Sequence, residues 1–244
     1  MTTATPLEAL PDRRALGSRT LKVVRLHLMN TQSLVWVPLM ILAIAAIISA
    51  LIFAMIPGDG VKVAGAGNAP MWYFLALGIQ AMTLSFPFSQ AMSITRREFF
   101  LGTMIVGAIG AAMMATIFLL LAGVEVLTNG YGVNGRVAYL EWIFEPGWVS
   151  AWLSYFTATI FLFVVGFWAA VIYRRFGWFA VTAVFALLGL ALIIGLFVIT
   201  RTESWPAVMT WFADVGAFVI TLIGLAVAAV TATGAYATLR RTTV

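Results

Sequence analysis

The chain predicts an all-α membrane protein: six transmembrane helices behind an N-terminal amphipathic interfacial helix, with both termini cytoplasmic. Three observations carry this. Of 244 residues, 63% are hydrophobic and 9% charged, against about 45–50% and about 25% in a soluble domain; the mean hydropathy is +1.04. The apolar residues gather in six runs, each long enough to cross a hydrocarbon core of about 30 Å at about 1.5 Å per residue. The Lys and Arg residues between those runs are biased to one side. So little charge excludes an ordinary cytosolic enzyme, a disordered chain and a fibrous protein. Alternating polar and apolar strands are absent, which favours helices over a barrel.

Residues 1–17 are polar and contain Pro6, Pro11, Arg13 and Arg14. They read as a cytoplasmic tail, with no apolar core of a cleaved signal peptide before residue 34. In residues 18–33, Leu21, Val24 and Leu28 recur at helical spacing, and Arg19, Lys22 and Arg25 repeat every three residues. This predicts a basic amphipathic helix at the inner headgroup surface. It serves either as a topological anchor or as an elbow that also touches a cytoplasmic partner. The transmembrane domain, 34–244, follows.

The expected spans are Leu34–Ile56, Met71–Ser93, Phe99–Val124, Trp148–Tyr173, Trp178–Thr200 and Trp211–Ala237. Arg13, Arg14, Arg19, Lys22, Arg25, Arg96, Arg97, Arg174, Arg175, Arg240 and Arg241 fall on one side, leaving only Lys62, Arg136 and Arg201 of the 14 Lys and Arg for the other. The positive-inside rule then makes both ends cytoplasmic. Asp59, Glu125, Glu141, Glu145, Glu203 and Asp214 lean outward. The net charge of +5 is therefore a topology signal; no recognition module for nucleic acid accompanies it. Trp72, Trp142, Trp148, Trp205 and Trp211 near one boundary, and Trp168 and Trp178 near the other, form the aromatic belts of a membrane-anchored bundle. Pro57–Pro70 is expected to be irregular. Within Glu125–Gly147, Val137, Leu140, Ile143 and Phe144 suggest a short surface helix over 137–144.

Catalytic chemistry finds little footing. There is no Cys, and the single His, His27, precedes the first span. Thiol catalysis, metal-dependent proteolysis and a Ser–His pair inside the bilayer are excluded. No span carries a central charge of the kind ion-coupled carriers use. The phosphate-cradling loop of ATP-binding proteins is absent. The chain reads as non-enzymatic, and a powered version of it needs a motor on another polypeptide.

The second span holds Gln80, Thr83, Pro87 and Gln90 at offsets that share one helix face. Polar groups in hydrocarbon face protein or water, so this face either glues helices together or lines a path. Gly107, Gly110, Ala111 and Ala115 in the third span, and Gly224, Ala228, Ala232 and Ala235 in the sixth, permit close helix packing, within the chain or between copies.

Between the second and third spans lies Ser93-Ile94-Thr95-Arg96-Arg97-Glu98-Phe99-Phe100-Leu101-Gly102-Thr103. On charge alone this is a positive-inside hairpin exposing Thr95 to Glu98. The stretch also resembles the segment joining the second and third spans in membrane subunits of ATP-binding-cassette (ABC) transporters of the type-two permease family. The layout is similar too: a basic helix, six spans, both ends inside and no nucleotide site. Leu26-His27-Leu28-Met29-Asn30-Thr31-Gln32-Ser33-Leu34 resembles the small actinobacterial permeases. The resemblance implies a coupling turn in which Thr95, Arg96, Arg97, Glu98 and Phe99 dock on a separate ATPase subunit that binds ATP and Mg. It also implies pairing with a second copy or a related permease in the cell membrane. Family members often have a longer outside region after the fifth span than Arg201–Thr210 provides. The expected function is export of a hydrophobic or amphipathic substrate. The competing reading is a membrane assembly, sensor or structural subunit without transport.

Overall fold

In the computed structural model the described residues are 24, 32–58 and 60–241. The expected tail and nearly all of the expected interfacial helix, including Arg19, Lys22 and Arg25, lie outside them. A π-helical turn at Gln32–Trp36 leads into α1, Val37–Met55. Pro38 sits in the first turn of α1, where the missing N–H would have no intrahelical partner anyway. α1 ends where Ile56 turns extended (φ −85°, ψ 117°) ahead of Pro57.

The second apolar run folds as three pieces. A 3₁₀ turn at Gly65–Asn68 opens α2, Ala69–Gln80. A π turn at Ala81–Ser85 follows, and α3, Phe86–Ala91, completes the run. Pro87 is the cause we assign to this irregularity. It has no N–H for the Thr83 carbonyl four residues earlier and crowds that turn. The Thr83 carbonyl instead accepts from Arg174 Nη2 at 3.3 Å, and the same guanidinium lies 5.6 Å from the Phe86 ring centre.

Four residues separate α3 from α4, Arg96–Leu127. α5 is a single turn, Glu141–Phe144. α6, Trp148–Arg201, is 54 residues long, and α7 is Trp205–Arg240. Among the described residues, five helical segments are long and apolar enough to cross a membrane: Gln32–Met55, Gly65–Ala91, Arg96–Leu127, Trp148–Arg201 and Trp205–Arg240. At about 80 Å, α6 would overshoot any bilayer if straight. It is broken at Gly177 (φ 79°, ψ −177°), a conformation that is essentially glycine's alone. The expected loop between Tyr173 and Trp178 is thus a one-residue break. A second such break interrupts α7 at Gly216 (φ 72°, ψ 161°). Asp214 is exposed just before it.

The core is formed by α2, α4, the first half of α6 and the second part of α7. Phe74, Met82, Phe99, Met114, Phe118 and Phe167 are fully buried. α2 and α6 cross at two glycines. A Cβ on Gly78 would lie 2.1 Å from the Phe163 carbonyl oxygen, and one on Gly166 would lie 2.0 Å from that of Leu75. Gly107 of α4 admits the Phe163 ring and Gly110 that of Phe74, so the small residues of the third span serve packing within the chain. After Val171 the pattern changes: no residue of 172–201 is buried.

The two connections at the far end of the bundle meet in a short parallel pair, β1 (Lys62–Val63) with β2 (Gly135–Arg136). Helical periodicity gave no hint of this pairing. Lys62 Nζ also donates to the Phe53 carbonyl at 3.0 Å, which fixes this connection to the end of α1.

Candidate functional site

The corner between α3 and α4 is built by two interlocking end motifs. Ser93 adopts a left-handed conformation (φ 57°). Its N–H donates to the Gln90 carbonyl at 3.0 Å, and the Ile94 N–H donates to that of Ser89 at 3.1 Å. These are the two bonds of a Schellman motif. Gln90 Nε2 adds a bond to the Ile94 carbonyl at 3.3 Å. One residue later, Thr95 and Glu98 form a capping box. The Glu98 N–H donates to Thr95 Oγ1 at 3.3 Å, while Glu98 Oε2 accepts from the Thr95 N–H at 3.0 Å and its hydroxyl at 2.8 Å. Ile94 and Phe99 flank the cap and both belong to the core, as in a hydrophobic staple.

This geometry corrects the expected docking set. Glu98 is only 2% exposed and Phe99 is fully buried, because the cap consumes the first and the core takes the second. Thr95 and Arg97 are exposed. Arg96 is half-buried and donates through Nη1 to the Arg240 carbonyl at 3.2 Å, a bond that also satisfies a carbonyl at the end of α7. The corner therefore presents Arg97 and Thr95 outward and is tied through Arg96 to the last helix. The Thr-x-x-Glu spacing is a capping-box signature and was available in the sequence; weighing its charges alone missed it.

The face of Gln80, Thr83, Pro87 and Gln90 does not act as one stripe, since the π turn shifts its phase midway. Thr83 Oγ1 donates back to the Ile79 carbonyl at 3.0 Å, and Thr83 lines an apolar groove against α6. Gln90 belongs to the corner. Pro87 is exposed and Gln80 half-buried.

At the opposite end, the connection after α4 closes around Glu125, which is fully buried. Its Oε1 accepts from the N–H of Val137 at 2.9 Å and Ala138 at 3.1 Å, and from the Tyr131 hydroxyl at 2.8 Å. Its Oε2 accepts from the N–H of Ala138 at 3.1 Å and Tyr139 at 2.8 Å. Asn129, Gly130, Tyr131, Gly132 and Asn134 all have positive φ, which turns the chain back over the carboxylate. The expected helix over 137–144 thus shrinks to Glu141–Phe144: the amides of 137–139 face Glu125 instead of a helical ladder. Tyr155 Oη donates to the Ala138 carbonyl and ties the same segment to α6. Burial, then the hydrogen bond with Glu125 and the repulsion from its charge, push the Tyr131 phenol well above its ordinary 10.0. Sequence reading placed Glu125 among the outer acids without a role; the turn-rich Asn129–Gly135 that follows was the available signal.

Beside this knot, the Arg136 guanidinium stacks 4.7 Å from the Tyr139 ring centre. Its Nη1 is buried without a hydrogen-bond acceptor. Among the described residues, no three His, Cys, Asp or Glu side chains gather where they could hold a metal ion. No protein-family model, curated protein or solved structure matches the chain.

Proposed function

We propose that the chain is the membrane-spanning subunit of an ATP-driven exporter, powered by a separate ATPase subunit that carries ATP and Mg. Six crossings follow from reading the Gly177 break as a membrane re-entry, so that residues 148–176 and 178–201 each span once. The charge bias then places both termini, the α3–α4 corner and Arg174–Arg175 in the cytoplasm.

The observation that carries the reading is the corner at Met92–Thr95. A push on a flexible loop would dissipate in the loop. Here both helix ends are capped, the flanking side chains are in the core, and Arg96 joins the corner to α7. A force applied at Arg97 acts on three helices together, as coupling between a motor and a membrane path demands. The unburied helix 178–201 supports pairing with a second copy or a related permease. The apolar grooves beside α6, with almost no polar lining, support a hydrophobic or amphipathic substrate.

The test is purification of the full chain from its native membrane. A P-loop ATPase should co-purify, and hydrolysis should depend on it. Arg97→Glu should abolish that association, and Arg97→Lys should weaken it, since a forked guanidinium is not replaced by an ammonium. Neither change should alter thermal stability, because Arg97 is exposed. Absence of any ATPase from the native complex, or unaltered assembly in both variants, would refute the proposal.

A further inference from the structure

We propose that the end of the bundle bearing Arg136 binds an anionic phospholipid, its phosphate held by the Arg136 guanidinium and an acyl chain laid in the groove between α6 and α7. The proposal concerns binding and stands whether or not a motor drives the chain.

The site begins with a hollow of about 470 Å³ walled by Val61, Arg136, Tyr139, Trp142 and Ile143. Volumes of this order suit a specific ligand. Arg136 supplies the charge. A buried N–H of a guanidinium without an acceptor is an unmet demand, and among the described residues Arg136 has no ion-pair partner. The nearby carboxylate of Glu125 is already occupied by backbone amides and Tyr131. A phosphate oxygen in the hollow meets the part of the guanidinium that lines it with a charge-assisted bond. Glu141 also lines the hollow but is exposed, which leaves the half-buried Arg136 side as the place for an anion.

The hollow does not end there. Trp142 and Ile143 also wall a second one of about 380 Å³ between α6 and α7. Phe161 and Val227 are shared by that hollow and a third of about 290 Å³. Val165, Ala169, Val181 and Phe185 pass it on to a fourth of about 330 Å³, which reaches Thr83. Along α6 the track runs from Ser154 to Tyr173, about 28 Å at 1.5 Å per residue. That is close to the full thickness of the hydrocarbon core. Its walls are almost wholly apolar. Near the Arg136 end lie Ser154 and Thr221, whose hydroxyls bond each other at 2.6 Å, and Thr157, whose Oγ1 is buried without a partner; the hydroxyls farther along, Thr231 and Thr83, bond back to carbonyls of their own helices. A cation at the mouth, hydroxyls just inside and hydrocarbon walls beyond match an anionic head, an ester region and an acyl chain in that order.

The experiment uses the purified full chain in neutral detergent, with three probes: phosphatidylglycerol, phosphatidylcholine of the same chains, and inorganic phosphate. Thermal unfolding and native mass spectrometry read stabilisation and retained lipid. Phosphatidylglycerol should raise the unfolding temperature and stay bound; the other two should not. Arg136→Gln removes a half-buried guanidinium whose Nη1 has no acceptor, so without lipid it should unfold at about the same temperature. It should bind phosphatidylglycerol about ten- to a hundredfold more weakly, the loss of one charge-assisted bond. Val227→Trp fills the junction of the second and third hollows from an exposed position and should weaken phosphatidylglycerol binding while leaving the lipid-free stability intact. Equal stabilisation by phosphatidylcholine would overturn the proposal, as would reproduction of the shift by inorganic phosphate alone. So would undiminished phosphatidylglycerol binding in either variant. An Arg136→Gln chain that unfolds earlier in every condition would assign Arg136 to the fold and overturn it as well.

Discussion

Glu125 holds the connection after α4 together. Its two oxygens serve three backbone N–H groups and one phenol, in a place without solvent access. Glu125→Gln keeps one acceptor oxygen. Placed at the Oε1 position, that oxygen still serves Val137, Ala138 and Tyr131, and the new amide N–H₂ then points at the Tyr139 N–H. The Tyr139 N–H is orphaned and faces the amide's own unmet N–H groups, at about 1–3 kcal/mol. Glu125→Ala orphans all four donors, and breaking a buried charged network costs about 3–5 kcal/mol. A chain of this length moves by about 2–4 °C per kcal/mol. The unfolding temperature, followed by tryptophan fluorescence in detergent, should fall by about 5 °C for Gln and about 12 °C for Ala. Limited proteolysis should open the 128–140 segment in the Ala variant before the rest of the chain. An Ala variant within about 1 °C of the parent and equally resistant to protease would show that the carboxylate does not hold this connection.

Two further outcomes follow from the geometry. Gly166→Ala drives a Cβ to 2.0 Å from the Leu75 carbonyl, a backbone atom that cannot step aside, and should destabilise the chain by about 1–3 kcal/mol or more. Gly123→Ala, in the same kind of helix interior but with nothing within 4 Å, should be neutral or stabilising by up to about 1 kcal/mol; thermal unfolding of the pair checks both. The Tyr131 phenol, raised above its ordinary 10.0 by burial and by Glu125, holds its proton more tightly folded than unfolded. Its contribution is therefore complete below pH 10 and is lost as pH climbs through the folded value. Unfolding temperatures taken from pH 8 upward should fall above pH 10, and less steeply in Tyr131→Phe; parallel curves for the two proteins would remove Tyr131 from the linkage.

The helical class was legible because hydropathy over twenty residues is a strong signal that later packing does not reverse. The apolar stretch Trp148–Arg201 was readable as membrane-spanning in length for the same reason, and Arg174–Arg175 fall just before its Gly177 break. What escaped was everything decided by backbone bonding. A charged turn and a capped corner have the same charges at Thr95–Glu98; only the reciprocal bonds separate them. Pro87 announced an irregularity, but the π turn before it, and Arg174 as the donor that answers the stranded Thr83 carbonyl, depend on a helix from elsewhere in the chain. Val137–Phe144 has helical spacing, yet three of its amides are claimed by a carboxylate twelve to fourteen residues earlier. Gly78 and Gly166 were not singled out because neither belongs to a row of small residues. Their importance comes from facing each other across two helices.

The Gly177 break has a thermodynamic consequence. No residue of 172–201 is buried, and beyond Gly177 the helix meets the bundle along the Val181–Phe185 side that lines the apolar grooves. Its remaining faces are exposed and are free to meet lipid or protein. If the proposed pairing holds, substitutions at the buried positions up to Val171 and in α7 register as changes in unfolding temperature, whereas substitutions on the exposed faces of 178–201 register as changes in subunit affinity. A scan of Leu187, Leu192, Ile193 and Phe197, all more than half exposed, tests the proposed association without the confounding loss of the fold that usually accompanies mutating an apolar helix.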